Sequence, residues 1–141
     1  MLAGGVEALG TTLLRGLETE RAAGEPPPGE AAAFLLLARG SDAAVRVGAF
    51  ATGSGTGFLE QALADAGLVW GDVDALWVDG DAPSAPVRVV NVARAAGDCG
   101  AAGGVLAAVA AAHSVARTGR PALAASLPPD GTRSALVLVP A

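Results

Sequence analysis

The sequence predicts an α/β layered fold with a mixed sheet and a buried central helix, on three observations. Strand-like apolar runs alternate with helix-like spacing, the pattern of a layered α/β domain. A polar, glycine-flanked loop, Gly97-Asp98-Cys99-Gly100-Ala101-Ala102-Gly103-Gly104, leads into a run that is apolar all round from Ala101 to Ala112. A helix of that kind is normally enclosed by other layers. Near the end, Ala122–Leu127 and Ala135–Val139 flank Pro128-Pro129-Asp130-Gly131, a hairpin-like signature.

The elements follow in order. Met1–Gly5 reads as a short strand that turns at its two glycines. Val6–Leu17 places Val6, Leu9, Leu13, Leu14 and Leu17 at helical spacing. Glu18–Gly29 is polar and then proline-rich, so residues 18–30 form a loop that separates a short strand and helix from the rest. Ala31–Ala38 is a continuous apolar run, expected as a buried strand, and Val45–Thr52 as another. The glycine-rich loop Gly53–Gly57 precedes a short amphipathic helix, Phe58–Ala66, with Phe58, Leu59, Ala62, Leu63 and Ala66 inward and Gly67 as its stop. Val73–Val78 is a strand carrying Trp77, Asp79–Pro86 a loop, and Val87–Val92 a β-branched strand. The central helix then starts at Asp98, a good N-cap, and ends near Gly119-Arg120-Pro121. Its positive end falls at Asp98 and Cys99. No internal repeat shows.

Composition narrows the function classes. The chain is 52% hydrophobic and 16% charged, more apolar material than a small monomer readily hides, which points to a partner surface. All nine basic residues are Arg and none cluster, with net charge −5, so nucleic-acid binding is not expected. The apolar run is shorter than the roughly 20 residues of a membrane span, and His113 and Arg117 close it. One Cys forms no internal disulfide and fits a reducing compartment. Met1–Gly5 has no basic n-region and no long apolar stretch follows, so no signal peptide is expected and the cytoplasm is the default.

Four segments carry a resemblance. Met1–Leu9 is similar to a strand running into an "AGG-x-EAL" pattern, and Pro28–Leu37 to a "GEGAAALLL" strand. Val87–Gly104 is similar to a strand, loop and "GHTxAAAG" helix start, and Leu136–Val139 to a last core strand. In that order they resemble the later part of the β-ketoacyl synthases, condensing enzymes of the thiolase superfamily. The resemblance implies a thiolase-like αβα sandwich of which this chain supplies mostly the second half. Residues 1–141 would then be one ketosynthase-like domain or half-domain.

The departures are chemical. The family's nucleophilic Cys lies upstream of the segment matched by Met1–Leu9. Its first catalytic His sits in a loop whose counterpart, Asp79–Pro86, holds no His, and its second falls on Asp98. An ionised carboxylate accepts hydrogen bonds and cannot donate to a developing oxyanion. The resemblance therefore implies the fold and argues against the usual reaction.

Among candidate site residues, Cys99 at a helix start could be an activated thiolate, but a free Cys more often packs as a small buried group. Asp98 is more simply a cap than a general base. His113 lies 14 residues beyond Cys99, roughly 21 Å along a continuous helix, too far to serve it. Gly53–Gly57 could approach a phosphate through backbone N–H groups, though an ordinary turn is the simpler reading, and Glu30 is read as structural. One His and one Cys cannot complete a zinc site, and no cofactor is implied.

The expected function is a non-catalytic ketosynthase-like subunit of a fatty-acid or polyketide assembly complex, chain-length-factor-like, completing or shaping the acyl site of a partner. The implied partners are a ketosynthase or a separately encoded first half, in a heterodimer, with acyl carrier protein as a further one. The alternatives are an acyl transferase or condensing enzyme using Cys99 with a partner-supplied base, and a structural dimeric scaffold.

Overall fold

The computed structural model describes residues 1–8, 23, 27–38, 42–55, 57–81, 83–128 and 132–141. Its strands are β1 (Leu2–Glu7), β2 (Ala31–Leu36), β3 (Val45–Gly53), β4 (Ala75–Gly80), β5 (Arg88–Asn91), β6 (Ala122–Leu127) and β7 (Arg133–Pro140). Its helices are α1 (Gly57–Asp65), α2 (Ala93–Ala96) and α3 (Gly103–Thr118), with 3-10 turns at Trp70–Asp72 and Gly100–Ala102.

Five strands form a mixed sheet in the order β3-β7-β6-β4-β5. β4 runs parallel to β5 and β6, and β7 runs antiparallel to β6 and β3. The two-residue period of the strands sorts their side chains. Leu76, Val78, Leu123, Ala125, Leu127 and Val137 pack with α1, whose Phe58, Leu59, Ala62 and Leu63 are all buried. Trp77, Ala122, Ala124 and Leu138 pack with α3 on the other face. The sheet thus has a cover on each side. The expected stop of α1 holds: Gly67 takes φ +69, its N–H meets the Ala64 carbonyl at 2.9 Å, and the Leu68 N–H meets Leu63 at 2.9 Å. That bond pair is the left-handed helix ending that glycine favours. The β6–β7 hairpin also forms as expected, although residues 129–131 of its turn lie outside the described residues.

β1 and β2 make a separate two-stranded antiparallel ribbon. It lies against α3, with Leu35 joining the cluster of Ala107, Ala108 and Ala111.

Several sequence expectations are corrected. The strand at Met1 does not turn at Gly4 and Gly5 but continues to Glu7, because β2 pairs with it throughout. The remainder of the Val6–Leu17 helix lies outside the described residues. β2 is not a buried strand: only Ala33 is buried, and Phe34 and Leu36 are 53% and 79% exposed. An apolar run specifies that cover is wanted, not that the same chain supplies it. The strand at Val73 begins two residues later and extends to Gly80, which places Asp79 inside β4. The strand at Val87 stops at Asn91 and a short helix, α2, intervenes.

The central helix also differs. It begins at Gly103, after a 3-10 turn, and Asp98 is not its N-cap. Gly100, at φ +46, cannot continue a right-handed helix. Nor is α3 buried all round by this chain. Ala107, Ala108, Ala111, Ser114 and Val115 are buried, whereas Val105, Leu106, Val109, Ala110 and Ala112 are half-buried. Among the described residues no helix is long and apolar enough to cross a membrane.

Candidate functional site at the entrance of helix α3

The segment between β5 and α3 is held by local polar bonds. The Asn91 side-chain amide donates to the Gly80 carbonyl at 2.8 Å, and its oxygen accepts from the Ala93 N–H at 2.9 Å, which starts α2. α2 ends at Gly97, with φ +83. A Cβ there would lie 2.8 Å from the Pro27 carbonyl oxygen and 2.9 Å from Gly29 Cα, so only glycine permits this crossing. The crossing is a short parallel bridge: Asp98 N–H donates to Pro27 and Gly29 N–H donates to Asp98, both at 2.7 Å. The approach to β2 is thereby fastened to the approach to α3.

Asp98 follows and is exposed, and its Oδ1 accepts the Gly100 N–H at 3.0 Å. It shapes the 3-10 turn rather than capping the long helix. Cys99 is 1% exposed, and its Sγ lies 3.6 Å from the Ala96 carbonyl and 3.4 Å from that of Gly97.

The strand alternation that points Trp77 at α3 points Asp79 the same way. Its carboxyl lies against Gly103, where a Cβ would collide with Cγ and both carboxylate oxygens. Burial raises the pKa of Asp79 above the ordinary carboxylate value, and the charge of Asp98 raises it further. The amino end of α3 attracts negative charge, yet the net displacement is upward, so desolvation and like charge prevail. The structure therefore brings together Asp98, named by the sequence reading, and Asp79, which that reading left as the start of a loop. The missed signal was strand period: one residue past the expected end of β4, the next position on the α3 face is a carboxylate.

Beside this pair opens an apolar cleft of about 390 Å³. Gly104, Val105 and Ala108 of α3 form one wall, Ala124 of β6 and Leu136 of β7 another, and Leu35 and Phe50 contribute from β2 and β3. Ser126 and Ser134, cross-strand partners, add two hydroxyls. Gly104 keeps the wall low, since a Cβ there would lie 3.1 Å from Ser126 Cβ. Gly100 links the cleft to the Asp98 turn. Small side chains and two hydroxyls suit a slender apolar ligand.

The other sequence candidates lie apart. His113 is exposed ten residues along α3 from Gly103, about 15 Å at the helical rise. Glu30 is exposed just before β2. The Gly53–Gly57 segment connects β3 to α1, and none of its residues lines the cleft. Among the described residues no group of three or more His, Cys, Asp and Glu side chains could hold a metal ion.

No family profile matches the sequence, and no curated protein does. A solved structure described as the ishigamide ketosynthase/chain length factor is similar in fold, with a TM-score of 0.66 and 24% identity. The match covers 99% of this chain and 48% of that one. In fold, the whole of this polypeptide thus corresponds to about half of a ketosynthase/chain length factor chain.

Proposed function

We propose that the protein is a chain-length-factor-like, non-catalytic subunit of a polyketide-assembling complex, and that its cleft takes part of a growing acyl chain. One observation carries the reading: a pair of carboxylates, Asp79 and Asp98, stands at the entrance of α3 beside an apolar cleft. Asp98 occupies the position at which the resembled condensing enzymes carry an imidazole. An acceptor there does not stabilise the enolate or oxyanion of a condensation, whereas the cleft still offers an acyl chain an apolar lining. The fold similarity supports the same reading. A ketosynthase is the partner that supplies the nucleophile, and the complete assembly has the layered sandwich of that superfamily.

The test is acyl binding. Purified protein is titrated with a naturally fluorescent polyene fatty acid. Saturable binding is expected, and Val105→Trp, which fills the cleft, weakens it at least tenfold. Equal binding by both proteins, or none by the wild type, overturns the reading.

Acyl transfer through Cys99 is the second reading, and its sulfur is placed poorly for it, being enclosed and bonded to carbonyl oxygens. An acyl-loaded carrier protein is expected to leave no mass adduct on this residue. An adduct that disappears in Cys99→Ser would reverse the order of the two readings.

A further inference from the structure

The strand register lays two rows of side chains across the sheet on the face that turns toward α3. In the first row Trp77, Ala124, Leu136 and Phe50 are neighbours on β4, β6, β7 and β3. Trp77, Ala124 and Leu136 pack in the cluster around α3. Two residues along each strand the same face returns, about 6.7 Å away. The second row is Asp79, Ser126, Ser134 and Thr52. The first row is hydrocarbon but for the Trp77 ring nitrogen. Every member of the second carries a side-chain oxygen.

The cleft takes in both rows. Ala124, Leu136 and Phe50 line its apolar part, and Ser126 and Ser134 its polar part. Antiparallel partners stand roughly 4.5–5.5 Å apart at Cα, so one ligand oxygen can reach both hydroxyls. Both serines are half-buried, and among the described residues neither hydroxyl makes a hydrogen bond. Glycine lets the start of α3 pass closely over this row. A Cβ on Gly104 would lie 3.2 Å from Ser126 Oγ, and one on Gly103 would collide with the Asp79 carboxyl. A plain hydrocarbon chain filling the cleft would cover two hydroxyls and pair with neither, which opposes its binding.

We infer that the cleft selects an acyl chain bearing a hydroxyl group, its hydrocarbon over Ala124, Leu136 and Phe50 and its hydroxyl between Ser126 and Ser134. The inference rests on the acyl-cleft reading under Proposed function and adds to it the class of chain. A serine hydroxyl both donates and accepts, so the two serines alone would serve a ketone equally well. Asp79 decides between them. It is the direct neighbour of Ser126 on β4 and shares its face. An ionised carboxylate accepts and cannot donate. When Ser126 donates to it, that serine offers the ligand a lone pair, which a hydroxyl can use and a carbonyl cannot. Ser134 then donates to the ligand hydroxyl oxygen, and the bonds run in one direction across β7, β6 and β4.

The test is calorimetric titration of the full 141-residue protein with decanoic acid, its 3-hydroxy and 5-hydroxy forms, and the two matching ketones. All share the carboxylate and the chain length, so only the added oxygen separates them. One hydroxylated acid is expected to bind at least tenfold more tightly than decanoic acid, and at least threefold more tightly than its own ketone. Ser126→Ala combined with Ser134→Ala is expected to erase that preference, with unchanged far-UV circular dichroism. Ser114→Ala, which removes a buried hydroxyl outside the cleft, keeps it. Three results overturn the inference and leave the acyl-cleft reading standing: equal binding of plain and hydroxylated acids, a ketone that matches its alcohol, or a preference that survives loss of both serines. Binding by none of the acids overturns both.

Discussion

The five-stranded sheet and the two-stranded ribbon are built from similar apolar sequence and reach different ends. Leu123 in β6 and Leu36 in β2 both sit in apolar runs, yet the first is 0% and the second 79% exposed. The sheet has α1 on one face and α3 on the other, both supplied by this chain. The ribbon has α3 on one face, and on the other its Leu2, Val6, Phe34 and Leu36 are exposed. Burial is thus a property of the layer stack, and a strand with two apolar faces states a need for two covers whether or not its own chain provides them.

Substitutions can break or sharpen that contrast. Leu123→Ala is expected to cost about 2–5 kcal/mol in denaturant unfolding, because it leaves a cavity in an enclosed core. Leu36→Ala is expected to change stability by no more than about 0.5 kcal/mol in the isolated chain. Equal costs would mean that the ribbon is covered in solution and would remove the contrast.

The entrance of α3, where sheet and ribbon are fastened together, gives the next effect. Gly103→Ala gains about 1 kcal/mol of helix propensity, but the new methyl group collides with the Asp79 carboxyl. Overpacking costs about 1–3 kcal/mol, so net destabilisation is expected. In an Asp79→Ala background the collision is gone and the same change becomes neutral or stabilising, a coupling that a double-mutant cycle reads directly.

A smaller effect concerns pH. The pKa of Asp79 is raised on folding, so the native state binds its proton more tightly than the unfolded chain does. Stability from this group is fully present below the unfolded carboxylate value and falls as pH rises through the folded one. Asp79→Asn, which keeps the shape without the charge, is expected to raise the thermal midpoint modestly at pH 7. That advantage shrinks as pH falls through the carboxylate range, and a constant advantage across pH would show that charge is not the cause. The smallest change in stability is expected from Cys99→Ala, about 1 kcal/mol or less for so small a truncation. Wild-type Cys99 should react with a thiol reagent only upon unfolding, and rapid native labelling would contradict its enclosure.

Much of the sheet was legible in the chain. The inward residues of α1, its glycine stop, the β6–β7 hairpin and the end of α3 near Gly119 all follow from local rules of period and backbone freedom. The short α2 was not, because Ala93-Arg94-Ala95-Ala96 is too brief for periodicity to register, and its start depends on the Asn91 side chain. At the site, the sequence reading put the start of the helix at Asp98 and Cys99, whereas it begins at Gly103, so the capping role was misplaced by several residues. Asp79 escaped notice because its partners, Gly103 and Asp98, are distant in sequence and meet it only across layers.

By itself, then, the sequence determined the α/β class, the small-residue helix, a carboxylate at position 98 and the surplus of apolar surface. These are matters of residue type and spacing, fixed before any long-range contact exists. Only the tertiary structure decided where the surplus lies, that two carboxylates share the entrance of α3, and that Cys99 faces carbonyl oxygens. Each depends on which layer comes to rest on which, and packing between distant segments settles that.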